Sequence, residues 1–129
     1  MLKIEECEKA ILENEFSKTG EINTGFEWIN HGYYQVKDEV SEDVAYFITA
    51  NDDIESCELG RFFVPKEYRG SVFSRNAALE VFGFIFEAKN EVWLEANEKS
   101  INFWLKVFEK INANVKEVGD YKYFLTKIT

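Results

Sequence analysis

Cysteine and histidine are scarce in this 129-residue sequence, which contains Cys7, Cys57 and His31 and no others of either type. Two isolated thiols form neither a disulfide framework nor a zinc site, so we expect both to be free cysteines of the core. Structural zinc draws on several histidine and cysteine ligands, and a serine-histidine-aspartate mechanism would depend on His31 alone. The sequence therefore predicts no metal site and gives no support to that kind of hydrolase.

Long apolar runs are also absent. No run approaches the ~18 residues of a membrane span, and the charged start MLKIEECEKA lacks the pattern of a signal peptide. Proline occurs once, whereas the chain contains 12 Phe, 6 Tyr and 3 Trp, a composition foreign to disordered chains. We expect one domain over residues 1–129, located in the cytoplasm and without a membrane partner.

Basic residues are outnumbered, with 15 Lys and Arg against 24 Asp and Glu, and the net charge is −9. Binding to a phosphate backbone requires clustered lysine and arginine, so the composition argues against a nucleic-acid partner. An acidic surface favours a cationic partner, such as an amine or a lysine-bearing protein. The alternative, that acidity only keeps the protein soluble, is equally compatible with the even spread of the acidic residues.

The hydrophobic pattern of the first half predicts a helix, a loop and three strands. Ile4, Cys7 and Ile11 recur at helical spacing within residues 3–16, and residues 17–32 are rich in Gly, Asn, Ser and Thr, as loops are. Apolar and β-branched residues bounded by polar turns predict strands over residues 32–39, 43–50 and 54–64.

The pattern of the second half predicts a helix at 70–88, a strand at 91–96, a helix at 99–111 and a hairpin that turns at Gly119 and Asp120. The apolar stripes of the two helices are Ala78, Val81, Phe82 and Ile85 in the first and Ile101, Trp104, Leu105 and Phe108 in the second. Because a helix that links two strands usually makes them parallel, we predict a mixed α/β sheet in which the strands at 54–64 and 91–96 are parallel.

The segment EYRGSVFSR, residues 67–75, is the corner between the third predicted strand and the helix that follows. The first amides of a helix lack intrahelical partners and attract anions, and such corners lie where ligands bind in open α/β sheets. Arg69 and Arg75 flank the turn and can each pair with a phosphate. On the turn alone, the alternative that Ser71 caps the helix while both arginines are solvated stays open.

Two segments resemble motifs of the GNAT superfamily of acyl-CoA-dependent N-acyltransferases. FFVPKEYRG resembles the family's strand end with the signature apolar-Val-x-Pro-x-x-Arg-Gly, and Arg75 matches the basic residue just beyond it. VWLEANEKSINFW resembles a strand followed by Asn-x-x-Ala-Ile-x-Phe-Tyr, with matches at Asn97, Ser100, Ile101, Phe103 and Trp104. The resemblance spans about residues 32–127 and implies a single-domain GNAT-like mixed sheet with flanking helices.

The resemblance further implies that the turn amides bind the pyrophosphate of acetyl-CoA or another acyl-CoA, and that the third strand meets the pantetheine arm as an added strand would. The implied cofactor-binding residues are Phe62, Phe63, Val64, Arg69, Gly70, Ser71, Val72, Phe73, Ser74, Arg75 and Asn97. Val72 and Ser74 replace small residues of the family's turn, and a valine there is expected to hinder the approach of the pyrophosphate. Trp104 replaces the family's tyrosine acid, and an indole is a donor but not an acid at neutral pH.

Glu58 is the candidate general base, because it lies six residues before Val64, where some members of the family carry a glutamate base. Strict alternation along the strand would place Glu58 on one face with Gly60, Phe62 and Val64, where an apolar surface raises the pKa of a carboxylate. The alternative is an exposed carboxylate at the start of a strand.

Aromatic residues that precede and begin the first predicted strand are candidates for the acceptor pocket: Phe26, Trp28, Tyr33 and Tyr34. The alternative is that they belong to the core. The resemblance implies transfer of an acyl group, in the first place acetyl, from coenzyme A to a primary amine of a small molecule or protein. Val72 and Trp104 favour a second hypothesis, a catalytically degenerate binding or assembly protein of this fold, possibly of phage type, and the oligomeric state stays open between monomer and homodimer.

Overall fold

The computed structural model describes residues 1–19, 31–51 and 54–128. Within these ranges the chain forms seven strands and three helices. The strands are β1 (Leu2–Glu6), β2 (His31–Asp38), β3 (Val44–Asn51), β4 (Ser56–Phe63), β5 (Glu91–Glu95), β6 (Ala113–Gly119) and β7 (Lys122–Lys127). The helices are α1 (Lys9–Thr19), α2 (Val72–Phe86) and α3 (Ile101–Lys110). None of the helices described is long and apolar enough to cross a membrane.

The strands form one mixed sheet in the order β1-β2-β3-β4-β5-β7-β6. All neighbours are antiparallel except β4 and β5, which α2 connects and which are parallel, as the sequence predicted. Their pairing is short, covering Ser56, Cys57 and Glu58 of β4 with Glu91, Val92 and Trp93 of β5. Beyond Glu58 and Trp93 the two strands diverge, and we call the gap between them the split.

The two faces of the sheet carry separate hydrophobic clusters. On the face that we call inner, α2 and α3 pack against the sheet, and the predicted stripe of Ala78, Val81, Phe82 and Ile85 is buried there. On the outer face, Leu12 and Phe16 of α1 pack against the buried residues Tyr46, Ile48 and Phe63. The central strand β4 contributes buried residues to both clusters, Cys57 and Leu59 to the inner one and Phe63 to the outer one.

A β-bulge interrupts the alternation of β4. Arg61 pairs with Ile48 of β3, whereas the neighbouring Thr49 pairs with Leu59, so Gly60 is the extra residue. Phe62 and Val64 therefore contact the inner core together with Cys57 and Leu59. Strict alternation was the wrong expectation here, because the bulge shifts the phase of the strand by one residue.

The start of the chain also differs from the prediction. Residues 2–6 form β1, which pairs with β2 from Leu2 opposite Asp38 to Glu6 opposite Tyr34, and the helix begins only at Lys9. The apolar face of α1 consists of Leu12 and Phe16, while Ile11 is 43% exposed. In α3, similarly, Val107 is buried where Leu105 was predicted, and Leu105 is 44% exposed.

The remaining elements confirm the sequence prediction to within a few residues, including β2, β3, β4, α2, β5, α3 and the terminal hairpin.

The cysteines are free thiols, Cys57 in the inner core and Cys7 half-buried at the edge of the outer cluster. Burial raises the pKa of the Cys7 thiol to about 11.

Candidate functional site

A cleft of about 890 Å³ lies between the end of β4, the following turn and the helices α2 and α3. Phe62 and Val64 extend from β4 into one wall, and Phe103 and Trp104 of α3 form part of the other. The residues that line it are Phe62, Phe63, Val64, Arg69, Gly70, Ser71, Ser74, Arg75, Asn97, Lys99, Ser100, Asn102, Phe103, Trp104 and Lys106. Apart from Val72 and Phe73, every predicted cofactor-binding residue therefore lines this cleft.

The turn that leads from β4 into α2 is shaped by a proline and a glycine. Pro65, with a φ of −53°, precedes a single 3₁₀ turn, Lys66–Tyr68. Gly70 follows with a φ of +73°, a left-handed conformation that glycine adopts without strain. Ser71 is extended and occupies the N-cap position of α2, so the helix begins at Val72.

The two serine hydroxyls of this turn bond to the backbone rather than capping the helix. Ser71 Oγ and Ser74 Oγ both donate to the carbonyl oxygen of Tyr68, at 3.0 and 3.3 Å. The side chain of Ser71, the N-cap residue, makes no capping bond to the first turn of α2. The alternative in which Ser71 caps α2 is therefore wrong, and the first-turn amides, which have no intrahelical acceptor, retain their capacity to bind an anion.

Arg69 is fixed against the wall of the cleft. Its Nε donates to the carbonyl oxygen of Val64, and its Cζ lies 5.3 Å from the centre of the Phe63 ring. This side chain is thus bonded to the end of β4, although Arg69 as a residue is exposed. Arg69 joins the turn to the end of the strand and places a positive charge at the cleft.

The charge of the cleft is opposite to that of the whole chain. The lining residues include Arg69, Arg75, Lys99 and Lys106 and no aspartate or glutamate, although the chain has a net charge of −9. Lys99, Asn102 and Lys106 were not among the predicted site residues. Their signal is the spacing of four residues between Asn102 and Lys106, which places both on one face of α3, with Lys99 in the turn that precedes the helix.

The start of α3 is held by Asn97 and Ser100. Asn97 Oδ1 accepts from the Ser100 amide at 2.9 Å, and Ser100 Oγ accepts from the Asn97 amide at 3.1 Å, a reciprocal pair like a capping box. This pair gives both motif residues a structural function in addition to their place in the lining of the cleft.

Trp104 is 7% exposed and packs among aromatic rings. Its indole makes edge contacts with Phe62 at 5.6 Å and Phe82 at 6.0 Å and stacks near Phe108 at 6.3 Å between ring centres. The residue thus belongs to the core while it lines the cleft, and an indole N–H cannot act as a proton-donating acid at neutral pH.

Val72 and Phe73 point away from the cleft. Phe73 is buried in the inner core, and Val72 is 63% exposed in the first turn of α2, near Asn76, Leu79 and Glu80 in a separate, smaller depression of about 510 Å³. The Val72 side chain is largely exposed to solvent and is not part of the lining of the cleft.

Glu58 lies at the closed end of the split. It pairs with Ala50 of β3 and is the last residue of β4 to pair with β5, opposite Trp93. The bulge places its side chain on the outer face, away from Phe62 and Val64, so Glu58 does not line the cleft. The cleft and Glu58 are on opposite faces of the sheet, and the split connects the two faces.

Of the predicted acceptor residues, the structure describes Tyr33 and Tyr34, and neither lines the cleft. Tyr34 stacks on Phe47 at 4.9 Å and contacts Phe84 edge-on at 5.1 Å in the inner core, where burial raises the pKa of its phenol. Tyr33 is half-buried against the outer cluster. Phe26 and Trp28 lie outside the described residues.

No protein-family model and no curated protein matches the chain by sequence. Solved structures match its backbone over nearly its whole length. An acetyltransferase of Bacillus subtilis in complex with CoA has a TM-score of 0.64 and 9% identity, with 99% of this chain and 100% of the other covered. A GNAT family acetyltransferase of Elizabethkingia anophelis with acetyl-CoA bound has a TM-score of 0.61 and 8% identity, with 99% and 98% covered.

A mutant of the spermidine N-acetyltransferase of Vibrio cholerae has a TM-score of 0.67 and 11% identity, with 96% of this chain and 90% of the other covered. At these identities the likeness concerns the fold, and it agrees with the strand order, the parallel pair β4 and β5 and the crossover helix between them. The chain has the fold of the GNAT superfamily of acyl-CoA-dependent N-acyltransferases.

Proposed function

We propose that the protein is an N-acetyltransferase, which transfers an acetyl group from acetyl-CoA to a primary amine of a small molecule or protein. The observation that supports this most strongly is the cleft, where an uncapped helix amino terminus and four basic side chains meet in a protein of net charge −9. Coenzyme A carries a pyrophosphate and a further phosphate, so the excess of positive charge matches its nucleotide end.

The residues present fit acetyl-CoA in two respects. The first-turn amides of α2 together with Arg69 and Arg75 would hold the pyrophosphate, and neither Val72 nor Phe73 intrudes on that position. The pairing of β4 with β5 ends at Glu58, so the backbone of Phe62 and Phe63 has β3 on one side and the split on the other, and can receive the amide-bearing pantetheine arm as an added strand. The bound cofactor would supply an acyl group activated as a thioester.

Glu58 is the residue that we propose as general base. An amine must be unprotonated to attack, and a carboxylate at the closed end of the split can accept its proton directly or through a water molecule. Trp104 offers no acid for the departing thiolate, so solvent would protonate it. This assignment places the amine on the outer face and the cofactor in the cleft on the inner face.

The cofactor site is tested by calorimetric titration of acetyl-CoA into the wild type and into Arg75→Gln. The loss of one charge-assisted hydrogen bond, about 1.5–3 kcal/mol, predicts a dissociation constant roughly 10- to 100-fold higher. Lys37→Gln, on the exposed side of β2, removes the same charge far from the cleft and is expected to bind as the wild type does. Absence of binding to the wild type at millimolar acetyl-CoA would refute the proposal.

The catalytic step is tested with Glu58→Gln in an assay for released thiol with a panel of primary amines. We expect turnover to fall by about 10²- to 10⁴-fold, while the affinity for acetyl-CoA is unchanged. Glu109→Gln at the end of α3 is the matched control and is expected to retain full turnover. Equal turnover in the wild type and Glu58→Gln would remove Glu58 from the mechanism without affecting the assignment of the cofactor site.

A further inference from the structure

Strand β1 forms one edge of the sheet, and within the described residues no other strand pairs with its outer side. Just beyond the strand, the amide of Cys7 donates to the carbonyl oxygen of Tyr33 at 2.8 Å, so the odd-numbered residues of this segment bond towards β2. In an antiparallel pair such residues alternate with residues whose backbone groups point the opposite way. The N–H and C=O groups of Leu2, Ile4 and Glu6 therefore point outward from the edge of the sheet.

The side chains of β1 divide the strand into an apolar and a charged face. Leu2 and Ile4 pack against the inner core, so Lys3 and Glu5 lie on the outer face. The side chains of Lys3 and Glu5 are 60% and 48% exposed, and their charged atoms form an ion pair at 3.0 Å. The outer face of this edge thus presents a positive charge followed by a negative one, on residues that flank Ile4.

The sequence of β1 is complementary to itself. In a symmetric antiparallel pair, a twofold axis places one residue opposite its own copy, and residues equally far on either side of it lie opposite each other. With the axis at Ile4, Lys3 lies opposite Glu5 of the second copy, and Glu5 lies opposite Lys3 of the second copy. Leu2 and Glu6 also pair across the axis, so all the outward backbone groups of β1 find partners. The charged pairs are of the closer kind, without hydrogen bonds between their backbones, in which opposite charges stabilise a sheet.

Other symmetric pairings of the sheet edges do not match charges in this way. Moving the axis to Lys3 or to Glu5 places like charges directly opposite each other, which is destabilising. In β6, at the opposite edge, Lys116 and Glu117 are neighbours and lie on opposite faces, so a symmetric pairing cannot place one opposite the other. That strand also has an irregularity between Glu117 and Gly119, a feature that turns an edge away from pairing.

Apolar side chains beside β1 offer a second copy a further contact. On the inner face, the depression of about 510 Å³ lies between the start of β1 and α2, and its lining includes Met1, Leu2, Val72 and Leu79. Met1 is 89% exposed and Val72 is 63% exposed. A twofold axis perpendicular to the sheet keeps both inner faces on the same side. The α2 helices of two copies would therefore lie on either side of the axis, with these side chains between them.

We propose that the protein forms a homodimer in which the β1 strands of two copies pair antiparallel about Ile4 and join the two sheets into one. Charged residues on an edge strand usually prevent association. Here they favour one partner, because a second copy of the same strand presents the complementary charge opposite each of them. None of the residues of β1 lines the cleft, so the proposal does not depend on the proposed acetyl transfer.

The test is size-exclusion chromatography with light scattering across a dilution series of the protein. The wild type is expected to reach twice the chain mass of 15.1 kDa. Lys3→Glu and Glu5→Lys each place like charges opposite each other, and each is expected to raise the dissociation constant of the dimer by about 10-fold or more. Lys116→Glu on β6 and Glu109→Lys on α3 make the same charge changes elsewhere and are expected to leave the dimer unchanged.

Mixing the two β1 variants distinguishes strand pairing from a loss of folding. In the mixture, the residue introduced by Lys3→Glu lies opposite the one introduced by Glu5→Lys, so every charged pair again has opposite signs and a mixed dimer is expected to form. The double variant Lys3→Glu/Glu5→Lys restores the pairs within one sequence and is expected to dimerise as the wild type does. A wild type that is monomeric at every concentration, or a mixture that stays monomeric, would overturn the proposal. So would a dimer that Lys3→Glu and Glu5→Lys leave unchanged.

Discussion

Replacing glycine by alanine is expected to change the free energy of unfolding in opposite directions at two positions, Gly70 in the turn before α2 and Gly83 within α2. Gly70 has a φ of +73° and open space around an added Cβ, so Gly70→Ala introduces backbone strain without a steric clash. The left-handed conformation costs a residue other than glycine about 1–2 kcal/mol. Alanine also lowers the entropy of the unfolded chain, which offsets part of that cost. The expected net decrease in the free energy of unfolding is about 1 kcal/mol. Gly83 is in the exposed middle of α2 with equally open space, and Gly83→Ala should add about 0.5–1 kcal/mol of stability.

The measurement is urea unfolding followed by circular dichroism, with thermal unfolding as a second assay. For a chain of this length, 1 kcal/mol corresponds to a shift of roughly 3–5 °C in Tm, downward for Gly70→Ala and upward for Gly83→Ala. Gly70→Asn should recover part of the loss, because asparagine tolerates the left-handed region better than alanine. Wild-type stability of Gly70→Ala would mean that the turn at the cleft does not have the left-handed geometry on which the entry into α2 depends.

Three further predictions concern the helices and Cys7. Val72→Gly should leave the affinity for acetyl-CoA within about 2-fold of the wild type, because the side chain is 63% exposed outside the cleft, and a several-fold change in calorimetry would contradict its orientation. Phe82→Ala should lower the free energy of unfolding by about 3–5 kcal/mol, since the ring is 1% exposed against Trp104; a urea midpoint near that of the wild type would refute its place in the core. Cys7 has a pKa raised by burial from 9.0 to about 11, so the native thiol keeps its proton after the unfolded one has lost it. Stability should therefore decrease as the pH rises above 9, and it should do so less in Cys7→Ala; identical pH dependence would exclude this contribution.

The sequence predicted well where local periodicity and global packing agree. In α2, the residues Ala78, Val81, Phe82 and Ile85 recur at helical spacing, and all four are buried because the inner face of the sheet is long enough to cover the whole stripe. The parallel orientation of β4 and β5 followed from the crossover helix alone, since a helical connection returns the chain to the same edge of the sheet.

The errors arose where a distant strand decides the structure. Residues 2–6 lie extended because they pair with β2, more than 25 residues away in sequence, and no local spacing reports that pairing. The bulge at Gly60 depends on the register between β3 and β4, and it reversed the predicted face of Glu58 relative to Phe62 and Val64. A glycine within a strand is the sequence signal of such a bulge, and it was present in CELGRFF.

The sequence identified most residues of the candidate site but not the directions in which their side chains point. The turn motif identified Arg69, Gly70 and Arg75, which line the cleft, but not the direction of the Val72 side chain, which depends on where α2 begins. Lys99 and Lys106 were not predicted as site residues, because the sequence as a whole is acidic. Only the folded structure shows that basic side chains gather at the cleft.

The divergence of β4 and β5 also gives the sheet two interior edges, in addition to the outer edges formed by β1 and β6. Unpaired strand edges are templates for association with other chains. The interior edges are flanked by the two parts of their own sheet, so a slender extended molecule can enter between them while the edge of a second folded protein cannot. Self-association through strand pairing would therefore have to begin at the rim, at β1 or at β6, which leaves Val115 and Val118 exposed.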